Sequence, residues 1–278
     1  MAKAKISIEP LFPDLDWNHV KIHVAQKAGD TRPIDVFTRS FEEWQNSWNG
    51  AYHSNHCWNR KYIFSMIELP SEPDSWLFGG IFHVISFKPE GGRMFYEVDL
   101  SKEWEALIGR LVIRWQKDAR AKGRKAETML SQMSISEILP NAYLGEDFSG
   151  YSYINHSYEI LENLWRDSKP DWVAALTHCQ GVYLITDTKT GLRYVGSAYG
   201  EEGIWSRWGT YFKTGGHANN KLLRELLNKK GVEYARRNFQ ISLLEHASSR
   251  DSEQHIIQRE AYWKEVLLTR GSFGLNEN

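Results

Sequence analysis

Three runs of β-branched and aromatic residues between residues 61 and 100, cut apart by tight turns, constrain this chain more than any other feature. The first spans Lys61 to Leu69 and stops at Pro70-Ser71-Glu72-Pro73. The second runs from Trp76 to Phe87 and stops at Pro89-Glu90-Gly91-Gly92; the third covers Met94 to Leu100. A fourth apolar run, Leu107 to Trp115, closes the series. Strand formers at such short spacing fold back on one another as an antiparallel meander or small barrel. Gly79-Gly80 inside the second run predicts a bend or bulge of the kind that curls a sheet. Ahead of the strands, Ser40 to Trp48 reads as a short helix, with Ser40 as N-cap and Glu43 three residues on to complete a capping box.

The 278 residues suit one large domain or two of ordinary size. Lys+Arg 34 against Asp+Glu 35 leave a net charge of −1, so no global field selects a polyanion and any nucleic-acid surface must be a local patch. A hydrophobic fraction of 41% with 25% charged residues is that of a globular chain, not a disordered one. No apolar stretch is long enough for a bilayer, and Met1 to Glu9 has no apolar signal core. Cys57 and Cys179 cannot build a disulfide framework, so a reducing, cytoplasmic setting without a membrane partner is expected. Twelve Trp, thirteen Tyr and twelve Phe make aromatics 13% of the chain. Each ring is first a core residue, but aromatics are also the platforms on which bases stack.

From Arg114 to Lys125 six basic residues face one acid. The segment reads either as a solvated loop or as a phosphate-contacting one, through Arg114, Lys117, Arg120, Lys122, Arg124 and Lys125. Pro170 and Asp171 suit a helix start, and a boundary is expected there. The expected domains are 1–169, β-rich, and 170–278; the charge is −3 over residues 1–170 and +2 beyond. In the second domain, Gly181 to Thr186 and Arg193 to Ser197 read as a strand pair joined by a polar turn. A helix from Glu202–Ile204 to Tyr211, another from Asn220 to Lys229, a strand from Phe239 to Glu245 and a helix from Asp251 to Leu268 follow. That order describes a small α/β sandwich. The fold class expected for the whole chain is α+β.

Single residues of this second domain mean little, but their order does. A hairpin carries Tyr183 and Tyr194, a helix carries Arg207 and Tyr211 one turn apart on one face, and a later helix carries Glu260. With Gly181-Val182-Tyr183, Tyr194-Val195-Gly196, Arg207, Tyr211, Glu260 within Arg259-Glu-Ala-Tyr-Trp263, and Leu275-Asn276, residues 181–276 resemble the GIY-YIG nuclease superfamily. The resemblance implies phosphodiester hydrolysis with one divalent ion per site, Mg²⁺ or Mn²⁺, held by Glu260. It implies that Arg207 binds the nonbridging oxygens, that Tyr183 is the general base with Tyr194 or Tyr211 beside it, and that Asn276 belongs to the site. A free phenol titrates at about 10, so Arg207 and the metal would have to lower Tyr183. Tyr211 stands where the family often has His. His217 and Asn220, in the polar segment before the next helix, are candidate DNA contacts as well as ordinary loop residues.

The β-rich first domain resembles PUA-like barrels, a group that includes readers of modified bases, and that resemblance implies a flipped nucleotide stacked between rings. Trp44, Trp48, Trp58, Trp76 and Tyr96 are the candidate rings, with Asn55, His56 and Asp99 as polar edge readers. His53, His56 and Cys57 lack a fourth ligand at a zinc spacing, so that segment reads as a polar loop. No P-loop, dinucleotide fingerprint, His-Glu-x-x-His or nucleophile elbow is present. The expectation is a Mg²⁺-dependent endonuclease of double-stranded DNA, of the restriction type and directed to modified cytosine, pairing as a homodimer on DNA. A conventional sequence-specific restriction enzyme and a non-catalytic nucleic-acid-binding module are the alternatives.

Overall fold

The computed structural model describes residues 5–29, 31–50, 56–70, 72–117, 123–200, 203–231, 233–248 and 251–277. Asn55, Arg120 and Lys122 lie outside them. The fold is α+β, and the chain divides into two compact units, Met1–Tyr143 and Leu144–Asn278. Among the described residues no helix is long and apolar enough to cross a membrane.

The first unit is a curled half-barrel sheet of β1 (Val20–Ala25), β2 (Tyr62–Glu68), β3 (Ser75–Glu90), β4 (Arg93–Leu100), β5 (Leu111–Arg114), β6 (Gly123–Lys125) and β7 (Ser134–Ile138). Its order is β6-β1-β2-β3-β5-β7, with β4 paired along the outer part of β3. The meander expected from residues 61 to 100 is present as β2, β3 and β4, all antiparallel. Its first neighbour is not antiparallel: β1 runs parallel to β2. A parallel pair needs a crossover, and α1 (Pro33–Arg39), α2 (Phe41–Glu43) and a π-helical turn at Trp44–Asn49 supply it. Ser40 caps α2 by accepting from the Glu43 amide at 3.2 Å, but the Glu43 carboxylate turns to Arg39 at 2.6 Å.

Gly79 is the residue that bends the sheet. Ser65 pairs with Gly80 and Met66 with Phe78, leaving Gly79 as the extra residue of a bulge. A Cβ there would stand 2.8 Å from the Trp44 ring and 3.0 Å from Ile67 Cδ1. The Trp44 indole in turn donates to the Gly79 carbonyl at 2.8 Å. Thus the ring and the bulge require each other.

This packing uses up most of the rings expected to stack a base. Trp44, Trp58 and Trp76 are at most 2% exposed and Tyr96 is 5% exposed, all within the two cores of this unit. Trp48 lies half-buried on Trp44, at 6.1 Å between ring centres, and Asp99 is exposed on β4. Apolar burial claims the large rings first. The basic segment is not one loop either. Arg114 ends β5, and Gly123–Lys125 forms β6, which pairs with β1. Arg124 lies over the Trp115 ring at 5.8 Å, Lys125 is exposed and Lys117 half-buried.

The second unit begins earlier than residue 170. Its strands are β8 (Asn155–Ser157), β9 (Gln180–Asp187), β10 (Arg193–Ala198) and β11 (Phe239–Ala247), all antiparallel in the order β10-β9-β11-β8. Its helices are α3 (Tyr158–Arg166), α4 (Pro170–Leu176), α5 (Gly203–Lys213), α6 (Lys221–Lys230), α7 (Glu233–Asn238) and α8 (Glu253–Val266). Strand β8 completes this sheet, and Tyr158, Leu161 and Leu164 of α3 are buried in its main core, so residues 144–169 fold with it. Pro170 does start a helix, as the second of two. One sheet face packs on α3 to α7 and the other on α8, through Val182, Val195 and Ile256. Strand β10 is the edge, so groups from both faces can meet around it.

Candidate active site

The site begins with strand pairing. Tyr183 of β9 stands opposite Gly196 of β10. A Cβ at Gly196 would lie 2.6 Å from the Tyr183 oxygen, so the glycine lets the phenol lie across β10 and reach α5. There Tyr183 donates to the Tyr211 hydroxyl at 3.0 Å and accepts from Arg207 Nε at 3.1 Å. The Arg207 guanidinium lies 5.3 Å from the centre of the Tyr211 ring. Residues 207 and 211, one turn apart on α5, therefore share a face as their spacing requires.

Tyr183 and Tyr211 are wholly buried. Burial pushes the Tyr183 phenol well above its usual range, against the pull of Arg207. Burial likewise raises Tyr211, with the neighbouring phenols adding to it. Burial opposes the charge of Arg207 too, yet the surrounding phenols hold it above its usual value. Among these groups desolvation outweighs the opposite charge of Arg207. The Tyr183 oxygen also holds the guanidinium in place.

Tyr194, on the same strand pair, has a different position. It lines a cavity of about 560 Å³ around the edge of β10, together with Ser197, Tyr199, Ser206, Arg207, Thr210 and Glu260. Arg207 enters from α5 on one face of the sheet and Glu260 from α8 on the other. One oxygen of Glu260 accepts from the Ser197 hydroxyl. The other pairs with Lys264 Nζ at 2.7 Å, and both side chains of this pair are 17% exposed. No cluster of three His, Cys, Asp or Glu occurs among the described residues. A single carboxylate beside hydroxyls fits a hard cation that keeps most of its water. Two lone-pair positions of Glu260 remain for it, and the Lys264 ammonium competes.

Other expected members stand apart from this cavity. Asn276 accepts from the Val195 amide at 2.9 Å and donates to the Val195 carbonyl at 2.8 Å, so its amide acts as a rung on the open edge of β10. It holds the strand that carries Tyr194 and does not line the cavity. Asn220 caps α6 by accepting from the Leu223 amide at 3.2 Å. His217 accepts from the Asn219 amide at 2.9 Å, and burial with Arg224 nearby lowers its pKa.

Ser197, Tyr199 and Lys264 were not singled out from the sequence. For Lys264 a signal existed, since it follows Glu260 by four residues on one helix. For Ser197 none did, because its contact crosses from strand to helix over 63 residues.

No family model and no curated protein matches this chain. Among solved structures, the catalytic domain of the homing endonuclease I-TevI is 32% identical, with 36% of this chain and 98% of that chain covered, at a TM-score of 0.27. A mutant form of that domain, described as from an intron endonuclease, is 29% identical over 36% of this chain and 94% of its own, at a TM-score of 0.27.

Proposed function

We propose that this chain is a metal-dependent DNA endonuclease whose second unit hydrolyses phosphodiester bonds. The observation that carries the reading is the meeting of Tyr194, Arg207 and Glu260 around one cavity at the edge of β10. A guanidinium held from behind by a buried phenol is preorganised for the charge that builds on a scissile phosphate. Its remaining donors suit nonbridging oxygens. Tyr194 is the cavity-facing phenol and orients the attacking water, while Tyr183 and Tyr211 position Arg207. Glu260 would hold one Mg²⁺ or Mn²⁺, supported by Ser197; that ion would supply Lewis acidity at the phosphate and steady the leaving oxygen.

The first unit, with cores of its own, is the target selector in this reading, and duplex DNA containing modified cytosine is the target. Because one site cuts one strand at a time, a duplex is cut through by two copies or by two successive nicks. The basic residues Arg114, Lys117, Arg124 and Lys125, with His217 and Asn220, remain phosphate-contact proposals.

One assay tests the reading. A long duplex made with cytosine, 5-methylcytosine or 5-hydroxymethylcytosine is incubated with the chain and Mg²⁺, beside chelator and Glu260→Gln controls. Metal-dependent new ends that vanish with Glu260→Gln are expected, on modified DNA alone. Discrete cutting of plain DNA would convert the selector into an ordinary sequence reader. Retarded DNA without new ends under any metal would leave a binding module and overturn the nuclease reading.

A further inference from the structure

The first unit contains a second cavity, of about 620 Å³, whose chemistry differs from that of the site above. Its walls include His56, Trp58, Arg60, Lys61, Ile85 and Phe87, and no carboxylate is among the described residues that line it. Ile85 and Phe87 are 59% and 53% exposed, so one wall is apolar surface turned to water. Ile85 is turned out by a bulge: Val84 pairs with Val98 and Ser86 with Glu97, which leaves Ile85 unmatched in the ladder. Bulges re-aim side chains in this way.

The adjoining wall is fixed. His56 lies nearly parallel to Tyr96, at 5.9 Å and 8°, and is bonded to its hydroxyl at 2.9 Å. The His56 ring centre is 4.4 Å from that of Phe87. Burial pushes the Tyr96 phenol up to about 12, so this support stays neutral.

Two cations line the cavity, Arg60 and Lys61. Glu127 pairs with Arg60 at 2.6 Å and offsets its charge, so Lys61 is the cation left to meet an anion there.

A ring-walled, carboxylate-free cavity with cations among its lining residues suits a planar group joined to an anion, and its volume is in the range of small-ligand pockets. We infer that this cavity takes one nucleotide of a DNA strand, with the base against Phe87 and His56 and the phosphate at Lys61. DNA as the occupant rests on the nuclease reading; the shape and charge of the cavity do not. Of the rings expected from sequence, Trp58 lines the cavity, while Trp44, Trp48, Trp76 and Tyr96 are not among its lining residues.

The test uses the full chain carrying Glu260→Gln, with chelator, and follows fluorescence anisotropy of two labelled duplexes that differ by one central mispair. An unpaired base leaves the stack more cheaply, so the mispaired duplex reports entry into the slot. Phe87→Ala is expected to weaken binding of the mispaired duplex by about tenfold, the scale of one base–aromatic stack, and to leave the paired duplex nearly unchanged. Phe87→Trp should restore it. Lys61→Ala should weaken both duplexes alike and reduce the salt slope by about 0.9. If Phe87→Ala and the parent bind the mispaired duplex equally, the slot is refuted. Cleavage by the chain with native Glu260 is measured on the same duplexes. Cutting with a Phe87-independent affinity sinks the slot and spares the nuclease, whereas Phe87-dependent binding without cutting does the reverse.

Discussion

In the cavity of the second unit the charged groups are already bonded to protein: Arg207 to Tyr183, and Glu260 to Ser197 and Lys264. In the cavity of the first unit the wall formed by Ile85 and Phe87 is apolar and turned to water. The first arrangement fixes charge before a ligand arrives, which is what stabilising a transition state requires. The second leaves apolar area to be covered, which favours capture of a ligand over chemistry on it. Two cavities of similar size on one chain thus differ in what is already satisfied.

The largest effect should come from removing the preorganised charge. Arg207→Ala is expected to lower kcat by about 10³-fold, while the DNA affinity that depends on Phe87 is unchanged. Single-turnover cleavage beside anisotropy checks both halves, and a matching loss of affinity would break the separation.

Next comes the contrast between two phenols. Tyr194→Phe should lower kcat by about 100-fold, because it removes the cavity hydroxyl proposed to orient the attacking water. Tyr183→Phe should cost less than about tenfold, because the ring remains and only the hydroxyl's bonds to Arg207 and Tyr211 are lost. A larger effect at Tyr183 in the same rate measurements would return that residue to the role of base.

On stability, Gly79→Ala should destabilise the first unit by about 2 kcal/mol, since its Cβ meets the Trp44 ring in a filled core. Urea denaturation followed by tryptophan fluorescence reports this, and cleavage of short duplexes should continue in native buffer. The smallest effect is expected at Lys264. Lys264→Met should tighten Mg²⁺ binding by about fivefold, because the ammonium no longer competes for Glu260. Calorimetric titration reads that change directly, and an unaltered affinity would make Lys264 a plain helix partner.

Periodicity and turn chemistry were legible in the chain itself. The runs after Lys61, the helix start at Pro170 and the strand pair carrying Tyr183 and Tyr194 depend on neighbouring residues, and local order dictates them. The bulge at Gly79 was visible for the same reason. Parallel pairing of β1 with β2 was not, because it depends on a crossover whose ends meet across 42 residues, as Val20 meets Tyr62. The early start of the second unit was hidden too, since β8 is three residues long and gains its meaning only from pairing with β11.

The same division holds for the sites. The order of Tyr183, Tyr194, Arg207 and Glu260 is a property of the sequence, and so is the shared helix face of Arg207 and Tyr211. Which phenol lines the cavity is a property of packing, and packing is the sum of contacts from several elements. Tyr183 lies beneath α5 because Gly196 opens the way, while Tyr194 faces the cavity because β10 is an edge strand. Solvation of a charge or a ring depends on everything packed around it, so only the tertiary structure decides which of two like residues can act.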